Sequence, residues 1–430
     1  MQLSDFARDM KKLTDKMGRN LVKETLEQVD EELRESSIRK KEWYIEHRNS
    51  TKSIITVLGE VVYSRTYFVS KLSKEYKYLV DELFNITPHE RLDQGVKIEI
   101  VEHATNLSYR KSGQETLVPV SAQTVMNTIK AIDVIKHEVV ANTKKQVEVL
   151  YVEADEDHIH LQNGKGAMPK LIYVHEGIRQ VSEKRNELIN AYYIGGLIDS
   201  SNSLWEEVYE YIKNNYDLDA LKTVYLSGDG AAWIKKGVNY LPKEKFVLDK
   251  FHIAQYIRKA TQQNKEYSAK IWEYLKESNK VAFEAIMNEL LQVTESKSKQ
   301  KEIIDCKRYL LNNWDGVQIR LQDKDVIGCS AEGHISHIYS ARMSSRPLGW
   351  SKNGADQMSK LRVYQANKAD VEELFNIRLR EKKAKEVSKY MIRNGISNVK
   401  GSSGELNHNI KILNNGKVTP IFRFKNIYHR

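Results

Sequence analysis

Three acidic side chains, Asp155, Asp229 and Glu332, occupy positions from which carboxylates could do chemistry. Asp155 opens the acidic knot Asp155-Glu156-Asp157 at the end of the apolar run Val147 to Ala154. Asp229 lies in Gly228-Asp229-Gly230, straight after the β-branched, aromatic and aliphatic run Thr223 to Ser227, so a buried strand delivers it at its carboxyl end. A second short strand, Lys245 to Leu248, ends at Asp249, and His252 follows. Open α/β sheets bind ligands outside the carboxyl ends of their strands, which is where Asp229 and Asp249 fall. Glu332 comes after a long helical stretch and must return on a helix beside the sheet.

Such a set suits phosphodiester chemistry. Cleavage with two metal ions needs three or four carboxylates around divalent cations roughly 3.5–4 Å apart, and oxygen donors favour Mg2+ or Mn2+. The expectation is therefore that Asp155, Asp229 and Glu332 hold two such ions. The plainer reading makes Asp229 a turn residue and Asp249 a helix N-cap. Asp157 would share the Asp155 face if the strand continues; Asp155 is preferred because the apolar run ends beside it. His252 either orients a phosphate, donates to Asp249 or is a buried structural histidine. His158, His160, His334 and His337 invite a zinc reading, but no Cys or His pair has the spacing of a closed zinc site.

The elements that must position these acids can be read coarsely. Three β runs (Val147 to Ala154 with His158 to Gln162 as hairpin partner, Lys170 to His175, Ala191 to Ile198) precede a helix at Trp205 to Tyr216. The Asp229 strand, a helix and the Asp249 strand follow, which is the order of a ribonuclease-H-like mixed sheet. The fold class expected is multidomain α+β. The first part of this core spans 146–258, an all-helical insertion 259–328 (with SKSKQK at Ser296 to Lys301 as a solvated linker), and the second part, with Glu332 and a basic helix, 329–395. A basic tail covers 396–430. Upstream, 1–50 holds one long amphipathic helix with apolar residues from Leu3 to Leu33 at intervals of mostly three and four. It could pair in a dimer or pack on the chain itself. Residues 51–90 carry a hairpin, Ser53 to Val57 with Glu60 to Phe68.

Residues 91–140 read as a helix-turn-helix unit: helices at Gln94 to Asn106 and Ser108 to Glu115, and a third starting at Ser121. The last helix would offer Gln123, Thr124, Asn127 and Lys130 to a major groove, with Arg110 and Lys111 on the helix before it. Small three-helix units that bind nothing are also common. Near Glu332, Arg342, Arg346 and Trp350 suit backbone and base contacts, although a capping Arg and a core Trp are the default. Composition agrees with a polyanionic partner: 68 Lys+Arg against 58 Asp+Glu give a net charge of +10 in 430 residues. Two cysteines, Cys306 and Cys329, exclude a disulfide framework and point to a reducing, cytoplasmic compartment. No stretch approaches the apolar length of a membrane span.

The blocks LGEVVYSRTY (Leu58 to Tyr67), LSYRKSGQ (Leu107 to Gln114), VEADEDHIHLQ (Val152 to Gln162), YLSGDGAAWIKKG (Tyr225 to Gly237), VLDKFHIAQYI (Val247 to Ile257) and Cys329 to Arg362 give the chain a wider likeness. It resembles the ISLre-type insertion-sequence transposases, bacterial DDE transposases related to the Mutator superfamily with a ribonuclease-H-like catalytic domain. The resemblance implies that Asp155, Asp229 and Glu332 are the DDE acids and that Asp249 and His252 form the D-x-x-H element. It also implies strand cleavage at the ends of a mobile element, transfer of the 3′-hydroxyl into target double-stranded DNA, and a homo-oligomer of at least two subunits. A non-catalytic DNA-binding regulator on the same scaffold, or a structure-selective nuclease that cuts without joining, are the alternatives.

Overall fold

The computed structural model describes residues 2–132, 137, 139–183, 185–345 and 349–376. The chain divides into two units, Met1–Ala131 with Val371–Arg430, and Ile132–Asp370. No helix among the described residues is long and apolar enough to cross a membrane. Most of the basic helix and all of the basic tail expected after Val371 lie outside the described residues.

In the first unit, helix α1 (Leu3–Glu35) follows the apolar periodicity of its sequence. Leu26, Val29 and Leu33 pack with Ile54, Val61 and Tyr63, and buried Asp30 accepts both the Thr66 N–H at 2.9 Å and the Thr66 hydroxyl at 2.6 Å. Leu3, Phe6, Met10, Leu13 and Met17, in the first half, are exposed. After α2 (Ser37–Glu42), strands β1 (Trp43–Thr56) and β2 (Gly59–Ser70) form a hairpin longer than the sequence suggests, with β3 (Tyr76–Lys77) at its edge. The register slips between Ile45 and Ser50, and that polar, irregular part of β1 carries no alternating pattern to read. Arg65 pairs with Asp81 of α3 (Leu79–Leu83) and lies over the Tyr78 ring at 3.5 Å, so it serves this small core. Helices α4 (Gln94–Asn106), α5 (Tyr109–Glu115) and α6 (Ala122–Ala131) then pack on one another through Val96, Ile100, Val125 and Ile129. Gly113 of α5 lets the segment before α6 pass close to the helix, because a β-carbon there would collide with the Val120 carbonyl.

The second unit is built on a five-stranded sheet of β4 (Val149–Glu156), β7 (Lys170–His175), β10 (Tyr192–Gly196), β11 (Thr223–Gly228) and β12 (Glu244–Leu248). Their order is β10-β7-β4-β11-β12. The first three form an antiparallel meander, and β11 and β12 run parallel to β4. The expectation that His158 to Gln162 pairs with β4 is corrected: β5 (Ile159–His160) pairs with β6 (Gly166–Ala167), and β7 is the true neighbour. β4 also runs through Asp155 and Glu156 instead of stopping at Ala154. A further ribbon, β8 (Ile178–Ser182) with β9 (Arg185–Leu188), was not anticipated, since its residues are largely exposed and polar.

Helix α7 (Ser201–Asn215) covers one sheet face, where Trp205, Val208 and Ile212 meet Leu150, Val152 and Leu226. Short α8 (Ala232–Lys235) links β11 to β12, and α9 (Lys250–Ala260) follows β12. A second apolar core joins α9 to α10 (Glu266–Lys276), α11 (Lys280–Val293), α12 (Lys297–Asn312) and α13 (Trp314–Gln322). The lysine-rich stretch read as a linker is in fact the first turn of α12. The chain returns through α14 (Ala331–Ile335), a π-helical turn (Ser336–Ser340) and α15 (Ala341–Met343), one continuous helix with a widened middle. Finally α16 (Lys352–Ala366) packs on β10.

Tyr339, in the π turn, donates to the Lys170 carbonyl at 3.0 Å across Gly195. A β-carbon at 195 would strike both groups. Gly195→Ala is expected to destabilise this unit by about 1–3 kcal/mol, read as a lower midpoint in chemical denaturation.

Candidate metal centre

Parallel pairing of β11 with β4 sets Ser227 opposite Glu153, so both strands end on the same side of the sheet. Asp155 emerges at the end of β4 and is partly buried; its Oδ1 accepts the Glu156 N–H at 2.8 Å. Asp229, just past β11, folds back so that its Oδ1 accepts the Ala231 N–H at 2.8 Å, and its carbonyl accepts the Tyr309 hydroxyl at 2.6 Å. Asp249 caps α9 by accepting the Phe251 N–H at 3.1 Å, the structural role its position had suggested. In the same helical turn, His252 Nε2 lies 3.9 Å from Asp249 Oδ2. Glu332 sits exposed in the first turn of α14.

Ligand atoms of Asp155, His252 and Glu332 lie within 4.8 Å of one another, a spacing that could hold a divalent cation. Two carboxylates and one imidazole fit Mn2+ and admit Mg2+. Asp229, expected as a ligand, lies outside this tightest set because its carboxylate turns toward its own backbone, and His252 takes its place. Asp229 is nevertheless close enough to act on Asp155. Burial, followed by the negative charges of Asp229 and Glu332, pushes the Asp155 carboxyl up to about 6 against the opposing Glu156 N–H and His252. Burial and Asp229 also raise Glu156, and burial raises Asp249. Crowded acids with raised pKa values are the condition that a bound cation relieves.

Asp157, the competing acid of the first strand, is buried and accepts the Ser344 hydroxyl at 2.8 Å, so it anchors the chain after α15. Sequence reasoning missed Glu153. Its carboxylate is 2% exposed in the centre of β4 and accepts from Tyr173, His175, Cys329 and Ser330. Burial raises its pKa, but the His175 and Tyr173 hydrogen bonds outweigh that and hold the carboxyl below its usual range. A glutamate inside an apolar strand run was the available signal. Among the other histidines, His158, His160 and His337 are exposed and the His334 ring lies tilted against Tyr173, centroids 4.6 Å apart.

Beside the cluster opens a cleft of about 710 Å³ whose lining includes Asp229, His252, Lys235, Lys259 and Arg308. Tyr256 and Tyr309 stack in its wall at 4.0 Å. In the other unit, Arg110 and Lys111 are exposed on α5, as are Gln123, Asn127 and Lys130 on α6, with Thr124 half-buried. Gln123 donates to Asn127 at 2.9 Å, one turn along the helix. Arg342 and Trp350 require correction as nucleic-acid contacts. Both are buried, at 6% and 7% exposure, with the guanidinium 4.9 Å above the indole, so the pair belongs to the interior. Arg346 lies outside the described residues.

The raised Asp155 value carries a pH signature. Its folded value, about 6, exceeds the ordinary 3.8, so the metal-free fold bears a cost that is absent below about pH 4 and complete above about pH 6. Asp155→Asn is expected to raise the thermal midpoint in a chelator at pH 7.5 by a few degrees and to leave it nearly unchanged at pH 4. A midpoint that shifts equally at both pH values would contradict this.

Comparison with known proteins finds similar chains elsewhere. The model of an uncharacterised protein family, UPF0236, matches residues 1–383. A UPF0236 protein of Caldanaerobacter subterraneus subsp. tengcongensis, whose name joins eleven loci, is 41% identical over 429 residues, covering 98% of this chain and 91% of the relative. Another from that organism, whose name joins four loci, is 41% identical with the same coverage. A UPF0236 protein of Streptococcus gallolyticus, from a vanSb 3′ region, is 24% identical over 381 residues, 85% of this chain and 83% of its own. The chain belongs to the uncharacterised protein family UPF0236.

Proposed function

We propose that this protein is a DNA transposase that cuts at the ends of its element and joins the freed 3′-hydroxyl to target DNA. The observation that carries the reading is the convergence of Asp155, His252 and Glu332, distant in sequence, at the carboxyl ends of adjacent parallel strands with Asp229 beside them. Numbered along the chain, the sheet order is 3-2-1-4-5 with the second strand antiparallel. That order supports a ribonuclease-H-like core interrupted by an all-helical insertion. Relatives whose names span many loci of one genome fit a protein that multiplies with a mobile element.

In this reading Asp155, Glu332 and His252 would hold one divalent cation, and Asp229 with Asp155 would serve a second, with Mg2+ or Mn2+ as the ions. Bound cations would supply charge neutralisation at the scissile phosphate and make the attacking oxygen a better nucleophile. The protein's own part is placement. The Asp249 cap fixes the first turn of α9 and so the His252 ring, the Ala231 N–H and Tyr309 hydroxyl hold the Asp229 turn, and Lys235 and Lys259 face a passing phosphate backbone in the cleft. The α5–α6 pair is the proposed reader of duplex DNA, through Arg110, Lys111, Gln123, Asn127 and Lys130.

Oligonucleotides carrying the DNA that flanks the gene, incubated with protein and Mn2+, test the assignment. Asp229→Asn is expected to lose at least about 100-fold in cleavage and joining while retaining duplex affinity. A variant that cuts at the normal rate would remove the assignment. Wild type that binds without cutting would point to a regulator, and cutting without joining to a nuclease. Replacing Arg110 and Lys111 together by Ala is expected to weaken duplex binding and to reduce the slope of log K against log salt by about 2.

A further inference from the structure

Glu153 makes no hydrogen bond to Asp155, His252 or Glu332, yet among the described residues near them it is the carboxylate with the most hydrogen-bond donors. It lies two residues before Asp155 on β4 and therefore shares its face of the sheet. His175 Nε2 approaches Oε1 at 3.1 Å. Oε2 accepts the Ser330 N–H at 2.6 Å, the Ser330 hydroxyl at 3.2 Å, the Cys329 thiol at 3.3 Å, and the Tyr173 hydroxyl. A carboxylate at 2% exposure persists only when its lone pairs are satisfied in this way.

The direction of these bonds is informative. Three of the donors come from Cys329 and Ser330, the two residues immediately before the helix that carries Glu332. Ser330 is the N-cap of α14, where a serine ordinarily turns its hydroxyl onto the first-turn amides. Here it makes no such bond; the hydroxyl goes to Glu153 and lies 3.0 Å from the Tyr173 hydroxyl. The capping group has been diverted to tie the helix start to the central strand. His334, one turn on, reinforces the tie by packing its ring, tilted, against Tyr173 and by placing Nδ1 3.0 Å from the Ser330 carbonyl.

We infer that Glu153 is a positioning residue: by clamping Cys329 and Ser330 to β4 it sets the start of α14, so that Glu332 meets Asp155 and His252. The inference rests on the reading of Asp155, His252 and Glu332 as ligands of a divalent cation. It concerns how a ligand arriving from beyond the helical insertion is brought to a site built on strand ends. A purely structural role would leave the metal set intact in any variant that folds. A positioning role predicts that the Glu332 ligand is lost while Asp155 and His252 stay in place.

The test is Mn2+ titration of the full-length protein, followed by electron paramagnetic resonance, with wild type, Glu153→Gln, Ser330→Ala and Glu332→Gln. Circular dichroism and thermal midpoints establish which variants fold. Glu153→Gln is expected to weaken Mn2+ binding roughly 10- to 100-fold and to shift the Mn2+ spectrum toward that of Glu332→Gln. Ser330→Ala, which removes a single hydroxyl, should change both in the same direction to a smaller extent, and it decides the question if Glu153→Gln does not fold. If wild type binds Mn2+ and the folded Glu153 or Ser330 variants bind it equally well with the wild-type spectrum, the positioning role is overturned and the metal site stands. If wild type binds no more tightly than Glu332→Gln, the metal reading itself falls, and the inference with it.

Discussion

Everything in the larger unit depends on β4 lying in the middle of its sheet with a strand bonded along each edge. Antiparallel β7 pairs from Tyr151 to Glu156 and parallel β11 from Val149 to Glu153, so the backbone is locked by hydrogen bonds that cannot be released without burying orphaned groups. Alternation then fixes which side chains go where. Leu150, Val152 and Ala154 enter the apolar core under α7, while Tyr151, Glu153 and Asp155 share the opposite face. That second face is polar and aromatic: Tyr151 stacks between His175 and Tyr225, and Tyr173 stacks on His175 and lies tilted against Tyr193. It can be buried only beneath segments that satisfy its hydroxyls and carboxylates. The chain from Asp323 to Ser330 does so, since Asp323 accepts from Tyr225, the Asp325 carbonyl accepts from Tyr151, and Ser330 donates to Glu153.

What the sequence showed depended on whether a local pattern carried the information. β11 is legible because a parallel interior strand is a short apolar run, and β12, at the sheet edge, because its apolar Phe246 to Leu248 stops at Asp249. Helices α4, α7 and the second half of α1 were legible from three-and-four periodicity. β4 runs past its apolar stretch because its last residues are the acids themselves, and in a sequence charge mimics a strand end. Its hairpin partner is not legible because His158 to Gln162 alternates convincingly, yet β5 pairs with β6 and Leu161 bridges to Trp350.

The candidate site shows the same division. Asp155, Asp229 and Glu332 could be nominated from strand ends and spacing, but side-chain direction could not. The turn at Asp229 is local and matches the plainer reading of that residue, but nothing local reveals that His252 completes the tightest group. Arg342 and Trp350 read either as backbone and base contacts or as a capping Arg and a core Trp, and only the folded whole, which buries both with the guanidinium over the indole, decides between them. Glu153 was passed over for a related reason: a charged residue in an apolar run looks like an interruption until its partners, gathered from β7 and from beyond the helical insertion, are seen together.

The widened turn Ser336–Ser340 inside the helix that begins with Glu332 has a consequence of its own. A π turn fits one more residue into the spiral than an α turn does and leaves main-chain oxygens without their usual intrahelical partners. Here the guanidinium of Arg362 on α16 takes up the oxygens of His337 and Ile338, so the irregularity is braced from outside. Since each helical residue advances the azimuth by about 100°, excising one residue from that turn would restore regular winding and rotate Glu332 out of phase with Tyr339 and Met343. The helix therefore works as a vernier, in which a single inserted residue reconciles the direction needed at the cluster with the one needed in the interior.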